Sequence, residues 1–471
     1  MLRNLLYIII FFPVSIFASN KDSIAERFVN SISVSELKTH IFKLASDKFA
    51  GRGTGETGQY LAADYIRNHF IKLGLKGPVN DTGYFQHYTI NKMDVPELKL
   101  LVNNKLLSNQ TDYYLFNQNR YILPSSYSVK KVKIVNSHLE INKKEKESAA
   151  YFDFNSSNIE ELINKYLDII EAANNFKVSL LFFKKPEVDL FDLMYELRSA
   201  MFKRGTMPKA PILFISEKIK FDKKSEINFV IKPISKNVQT QNVLGFIKGK
   251  TDETVVISSH YDHLGTKDGK IYYGADDNAS GTTAVLSLAT AFSNALKSGF
   301  IPNRNILFVA FSGEEIGLLG SKYYTDKDPI IPLSNTSVNI NIDMIGRSDY
   351  IYKNNEKYIY VIGSDKLSTV LHNTNETINS TYQNLVLDYK YNSVKDPNRF
   401  YYRSDHYNFA KNNIPVVFFF NGMHDDYHKF TDSEDKIELE LMEYRVKHFY
   451  YLTWKLANMD EAITVDVINS K

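Results

Sequence analysis

The sequence predicts an α/β protein, with a central mixed, mostly parallel sheet flanked by helices and a small α+β or β domain inserted into it. Three observations point there. From Gln241 onward, strand-like runs VLGFIK (243–248), TVVISSH (254–260), NILFVAF (305–311), SVNINID (337–343), YIYVIG (358–363) and PVVFFF (415–420) alternate with helical segments. Such alternation builds parallel sheets with crossover helices. Several of these runs are continuously apolar, as strands buried on both faces are. The third observation is a break in character: residues 92–240 are rich in Lys, Asn, Tyr and Phe and carry no motif.

In chain order, residues 1–19 read MLRNLLYIIIFFPVSIFAS. A charged start, an apolar run from Leu5 to Phe17 and small residues at Ala18 and Ser19 form the pattern of a signal peptide. The run is interrupted by Pro13 and Ser15 and falls short of the ~20 residues needed to span a bilayer. The expectation is an exported protein, periplasmic or secreted, with no stable membrane anchor after cleavage. Residues 20–91 form the N-terminal part of the main domain, with Leu37, Ile41 and Leu44, then Ala62, Ile66, Phe70 and Leu73, at helical spacing. Between them lies FAGRGTGETG (49–58), which lacks the Lys-Ser/Thr ending and preceding strand of a phosphate loop.

Residues 92–240 read as an inserted domain, with strand-like VSLLFF (178–183) and PILFIS (211–216), a helix around 159–173 and a charged NKKEKE loop (142–147). Residues 241–460 carry the rest of the main domain, including a helix from about Gly281 to Leu296 with Ala284, Leu288 and Ala291 on one face.

Composition excludes several functions. Lys and Arg number 57 against 54 Asp and Glu, a net +3 over 471 residues with no basic stretch, so no nucleic-acid face is expected. There is no Cys, which removes disulfides, thiolate metal sites and cysteine nucleophiles. A metal here must rest on His, Asp and Glu.

Those residues gather where the apolar runs stop. TVVISSH ends in His260-Tyr261-Asp262-His263, Asp276-Asp277 precede a helix, Glu314-Glu315 come after NILFVAF, Asp343 ends SVNINID, and Asp426-Tyr427-His428 come after PVVFFF. Ligand sites of open α/β sheets form at the carboxyl ends of strands, and a set of imidazoles and carboxylates suits a hard-to-borderline metal. A dinuclear hydrolytic site needs a bridging carboxylate, terminal ligands and a free base. His260, Asp276, Glu315, Asp343 and His428 are the candidate ligands, Glu314 the candidate base, and Asp262 the acceptor of the other His260 N–H. His263 and His424 are read as pocket lining, and His40, His69, His87, His138, His372 and His448 as ordinary hydrogen-bonded histidines.

Residues 241–452 resemble the co-catalytic zinc aminopeptidases of metallopeptidase family twenty-eight (clan MH). The resemblance rests on SHYDHLG (259–265), YGADDNASG (273–281), FSGEEIGLLGS (311–321), NIDMIG (341–346), RSDHYNFAKNNIPV (403–416) and DYHKFTDSEDKI (426–437), with LASDKFAGRGTGETG before them. It implies two zinc ions per chain, and a His/carboxylate donor set of this kind also takes cobalt or manganese. His260 and Asp343 would bind one, Glu315 and His428 the other, with Asp276 between them and Glu314 as base and then acid. It also implies a cis peptide between Asp276 and Asp277, and a substrate-facing role for Ser404, Asp405 and His406, to which Tyr427 is added. Phe430 replaces a proline usual in relatives, and the 92–240 insert falls where some carry a protease-associated domain.

The expected activity is removal of residues from the free N-terminus of peptide substrates. Carboxypeptidase or dipeptidase action on the same fold is the alternative, kept open by Arg403. Glutaminyl cyclase-like transfer and a non-catalytic binding module come next, the last disfavoured by the intact ligand set.

Overall fold

The computed structural model describes residues 21–116, 125–129, 132–135, 149–176, 178–222, 224–267, 269–352 and 356–467. The signal-peptide segment, His138 and the NKKEKE run lie outside the described residues. The chain forms two compact units, one of residues up to Tyr88 together with Gln239 onward, the other of Thr89–Val238.

The larger unit is built on a mixed sheet. Its strands run in the order Val386–Asp388, Tyr358–Ile362, Val416–Phe420, Thr336–Ile342, Thr254–His260, Asn305–Phe311 and the end of Ile227–Ile247. The four central strands, from Val416–Phe420 to Asn305–Phe311, are parallel to one another. On one side Val416–Phe420 pairs antiparallel with Tyr358–Ile362, and on the other Asn305–Phe311 pairs antiparallel with the last strand, Ala310 opposite Val243. The apolar runs explain the burial. Alternate residues of Asn305–Phe311 feed opposite cores: Ile306, Phe308 and Ala310 one face, Leu307, Val309 and Phe311 the other. Both faces of the sheet are therefore covered.

Helix Gly281–Lys297 is buried along most of its length, small residues such as Ala284 and Ala291 allowing it to lie close to the sheet. Helices Val34–Leu44, Thr57–Leu73 and Leu439–Asn458 join it on the same core. Their ends are locally specified. Ser33 accepts from the Glu36 N–H at the start of the first, and Gly74 closes the second at φ 81°, a left-handed position that suits glycine.

Thr89–Val238 contains a five-stranded sheet in the order Tyr113–Leu115, Ile212–Ile215, Leu180–Lys184, Ala149–Phe152, Val132–Val135, parallel except at its first pairing. Leu181 and Phe183 pack on helices Ile159–Phe176 and Leu190–Arg204, while Leu180 and Phe182 point into a second core. The second of these helices is not predicted by the sequence pattern. Among the described residues no helix is long and apolar enough to cross a membrane.

Candidate active site

Parallel strands end on the same side, so the residues at their carboxyl ends converge. His260 is paired with Phe311 across the sheet, and Glu314 and Glu315 lie three and four positions beyond Phe311. Two groups result, each with one ligand atom per residue and all atoms within 4.8 Å of one another: His260, Glu314 and Asp343, and His263, Asp277 and Glu315. His260 Nε2 lies 3.2 Å from Asp343 and 3.9 Å from Glu314. His428 Nε2 lies 3.2 Å from Glu315, and His263 Nδ1 2.6 Å from the other Glu315 oxygen.

Asp277 stands between the groups. Its Oδ1 is 3.5 Å from His260 Nε2, and its Oδ2 is 3.1 Å from His428 Nε2 and 3.9 Å from His263 Nδ1. This corrects the expectation for Asp276. Asp276 turns the opposite way, accepting from the Gly346 N–H at 2.6 Å and facing His424 Nε2 at 3.0 Å. The physical reason is the backbone of Gly274–Ser280. Gly274 adopts a left-handed φ of 55°, and Asp277 and Asn278 leave helical geometry, which aims successive side chains in opposite directions. The cis peptide likewise falls one residue later than expected, at Asp277–Asn278.

Asp262 is fully buried. The acceptor nearest His260 Nδ1 is the Asp262 backbone carbonyl at 3.1 Å, with the carboxylate at 3.8 Å. That carboxylate instead accepts from Thr54 Oγ1 at 2.7 Å and the Glu314 N–H at 3.2 Å.

A cavity of about 270 Å³ opens over the cluster. Asp277, Glu314, Glu315, Asp343 and His428 supply its polar lining, Leu318, Met344, Phe400, Phe418 and Phe420 its apolar walls, and Arg403 and Tyr427 complete it. The expectation for Ser404, Asp405 and His406 is not met, since none lines the cavity. Ser404 donates to Asp343 Oδ2 at 2.7 Å, and His406 stacks on Phe418 with ring centroids 4.7 Å apart. The Asp405 carboxyl is pushed up to about 7 by burial. All three sit behind the site because the Asp405–His406 turn starts helix His406–Ala410 and directs them into the protein.

Burial also pushes the Glu314 carboxyl well above the usual range, with Asp343 and Glu315 adding to the shift. For His428, burial works against its charge, but Glu315 and Asp277 hold it up at about 10. Among the described residues, every ion pair made by Asp262, Asp277, Glu314, Glu315 and Asp343 is with a histidine. So dense a set of buried acids needs compensation, and oxygen and imidazole donors without sulfur fit a borderline divalent cation. His263 and Asp277 are the members of the cluster that the sequence pattern did not single out. The signal available was their position in the same two strand-end segments as His260 and Asp276.

Residues 242–452 match the family model of Peptidase family M28. Aminopeptidase YwaD of Bacillus subtilis (strain 168) is 33% identical over 152 residues, covering 28% of this chain and 31% of that protein. A probable leucine aminopeptidase of Arthroderma otae is 31% identical over 189 residues, covering 38% and 45%. The chain therefore spans less than half the length of these curated relatives. The solved structure of a zinc aminopeptidase from Bacillus subtilis superposes with a TM-score of 0.58 at 18% identity, covering 93% of this chain and 98% of that one, a likeness of fold.

Proposed function

We propose that the chain is an exported, zinc-dependent aminopeptidase that removes residues from the free N-terminus of peptides. The observation that carries the reading is Asp277, whose two carboxylate oxygens face His260 on one side and His428 on the other. In this reading His260, Asp343 and one oxygen of Asp277 would hold one zinc ion, and Glu315, His428 and the other Asp277 oxygen would hold a second. Two such cations, when bound, polarise a scissile carbonyl and acidify water.

The chain's own groups do the rest. Glu314 lines the cavity and its backbone N–H is tied to Asp262. It takes a proton from water and returns it to the leaving amine. The acidic lining draws in a terminal ammonium, and the apolar walls formed by Met344, Phe400, Phe418 and Phe420 accept an apolar first side chain. The charged and then apolar run of residues 1–19 supports export.

Arg403 in the cavity lining favours a second reading, in which a substrate carboxylate is recognised as in a dipeptidase or carboxypeptidase. The test is to assay the protein on a free-amine aminoacyl chromogenic amide, its N-acetylated counterpart and a free-carboxylate dipeptide, with and without chelator. Chelator-sensitive cleavage of the free amine but not the acetylated amide is the expected result. Cleavage of the dipeptide alone would favour the second reading, and no cleavage of any would overturn both.

A further inference from the structure

The FAGRGTG segment has no part in the proposed chemistry, yet it touches both loops that carry it. Arg52 is fully buried, and among the described residues its guanidinium bonds only to backbone carbonyls. Nε donates to Tyr261 O at 2.8 Å, Nη1 to Leu44 O and Tyr273 O at 2.7 Å each, and Nη2 to Gly274 O at 2.8 Å. Tyr261 lies between His260 and Asp262, while Tyr273 and Gly274 lead directly into Asp277.

The backbone of the segment takes the same course. The His263 N–H donates to Arg52 O at 3.2 Å, and the Gly265 N–H to Gly51 O at 3.0 Å. At Gly51, with φ +69°, a Cβ would lie 2.3 Å from Tyr272 O and 2.5 Å from Gly265 O, so both loops close on this glycine. Thr54 adds the 2.7 Å bond to the Asp262 carboxylate.

Burying a guanidinium without a carboxylate in contact is costly, and five donors in a rigid fork are what several fixed carbonyls require. We propose that Arg52 is a positioning residue that locks the 261–265 and 272–277 loops together, so that His260, His263 and Asp277 are in place before a divalent cation arrives. Thr54 does the same for Asp262. This rests on the zinc-site reading of the proposed function.

A purely architectural role would also make Arg52 important for stability, so the control is another buried arginine in the same unit. Arg304 donates to the carbonyls of Leu456, Met459 and Glu461 at 2.8 Å each. It immediately precedes strand Asn305–Phe311, at the opposite end from Glu314 and Glu315. Zinc is titrated calorimetrically into chelator-stripped full-length wild type, R52K, T54V and R304K, each checked by circular dichroism. R52K should retain the fold and bind zinc about 10- to 100-fold more weakly, the range for loss of a group that orients metal ligands. T54V should shift in the same direction by less. R304K should melt earlier but bind zinc as wild type does. Equal zinc affinity in R52K and wild type overturns the inference. If R52K does not fold, wild-type zinc affinity in T54V overturns it. A folded wild type that takes up no zinc overturns instead the reading on which the inference rests.

Discussion

The two compact units are packed alike and differ in the residues found at the ends of their strands. In Thr89–Val238, parallel strands Ala149–Phe152, Leu180–Lys184 and Ile212–Ile215 send alternate side chains into two apolar cores, with aromatic contacts such as Tyr166 on Phe183 at 4.3 Å. In the larger unit, Thr254–His260, Asn305–Phe311 and Thr336–Ile342 are as thoroughly buried. They end, however, in His260, Glu314-Glu315 and Asp343. Parallel pairing supplies convergence in both units. The strand ends of the smaller unit carry a solvent-accessible Lys184–Asp153 pair at 3.3 Å, whereas those of the larger unit gather a cluster of imidazoles and carboxylates, so topology makes a site available and a few residues at the strand ends make it chemical.

That contrast can be broken by substitution. The largest effect is expected at Glu314. Glu314→Gln removes a carboxylate that can carry a proton while keeping its shape, and should lower kcat by about 10²- to 10⁴-fold with zinc content unchanged. Near-normal turnover would remove Glu314 from the mechanism. The counterpart in the smaller unit is Leu181→Ala, which leaves a cavity between sheet and helices. It should cost about 2–5 kcal/mol in denaturant unfolding and leave zinc content as it was. Loss of zinc there would show that the contrast between the units is false.

The smallest effect concerns pH. Residues 89–238 contain a single histidine, His138, whereas the larger unit buries several. Burial lowers His448 from 6.5 to about 3 and His69 from 6.5 to about 4. Both stay neutral in the folded chain while the unfolded chain takes up protons below pH 6.5, so stability is lost as pH falls through that window. His448→Gln, which can retain the bond to Asn375 Oδ1 at 2.9 Å, removes one such group. Relative to wild type it should gain up to about 1.4 kcal/mol per pH unit below 6.5. A pH-independent difference between the two proteins would contradict the assignment.

Much of the fold was legible in the sequence because runs such as NILFVAF and PVVFFF are apolar without interruption, which only doubly buried strands require. Helix Leu190–Arg204 buries Leu190, Leu193, Leu197 and Met201 at helical spacing, a stripe blurred in the sequence by further apolar residues at 191, 195 and 202. The strand Val386–Asp388 has three residues, too few for a periodicity to appear. At the site, the segments were legible and the choice within them was not. Asp276 and Asp277 are chemically identical neighbours, and which one enters the cluster is decided by the backbone turn at Gly274. His263 is read from the sequence as pocket lining and not as a cluster member because its 2.6 Å approach to Glu315 depends on a loop held from the distant FAGRGTG segment. Ser404, Asp405 and His406 come directly after a cavity residue, Arg403, yet turn inward with the start of a helix.

The central claim is that Asp277, and not Asp276, joins two cation sites. Zinc per chain, measured by mass spectrometry on desalted wild type, Asp277→Asn and Asp276→Asn, tests it most directly. Two equivalents in wild type and in Asp276→Asn, with loss of zinc in Asp277→Asn, is the predicted result. Loss confined to Asp276→Asn would contradict it.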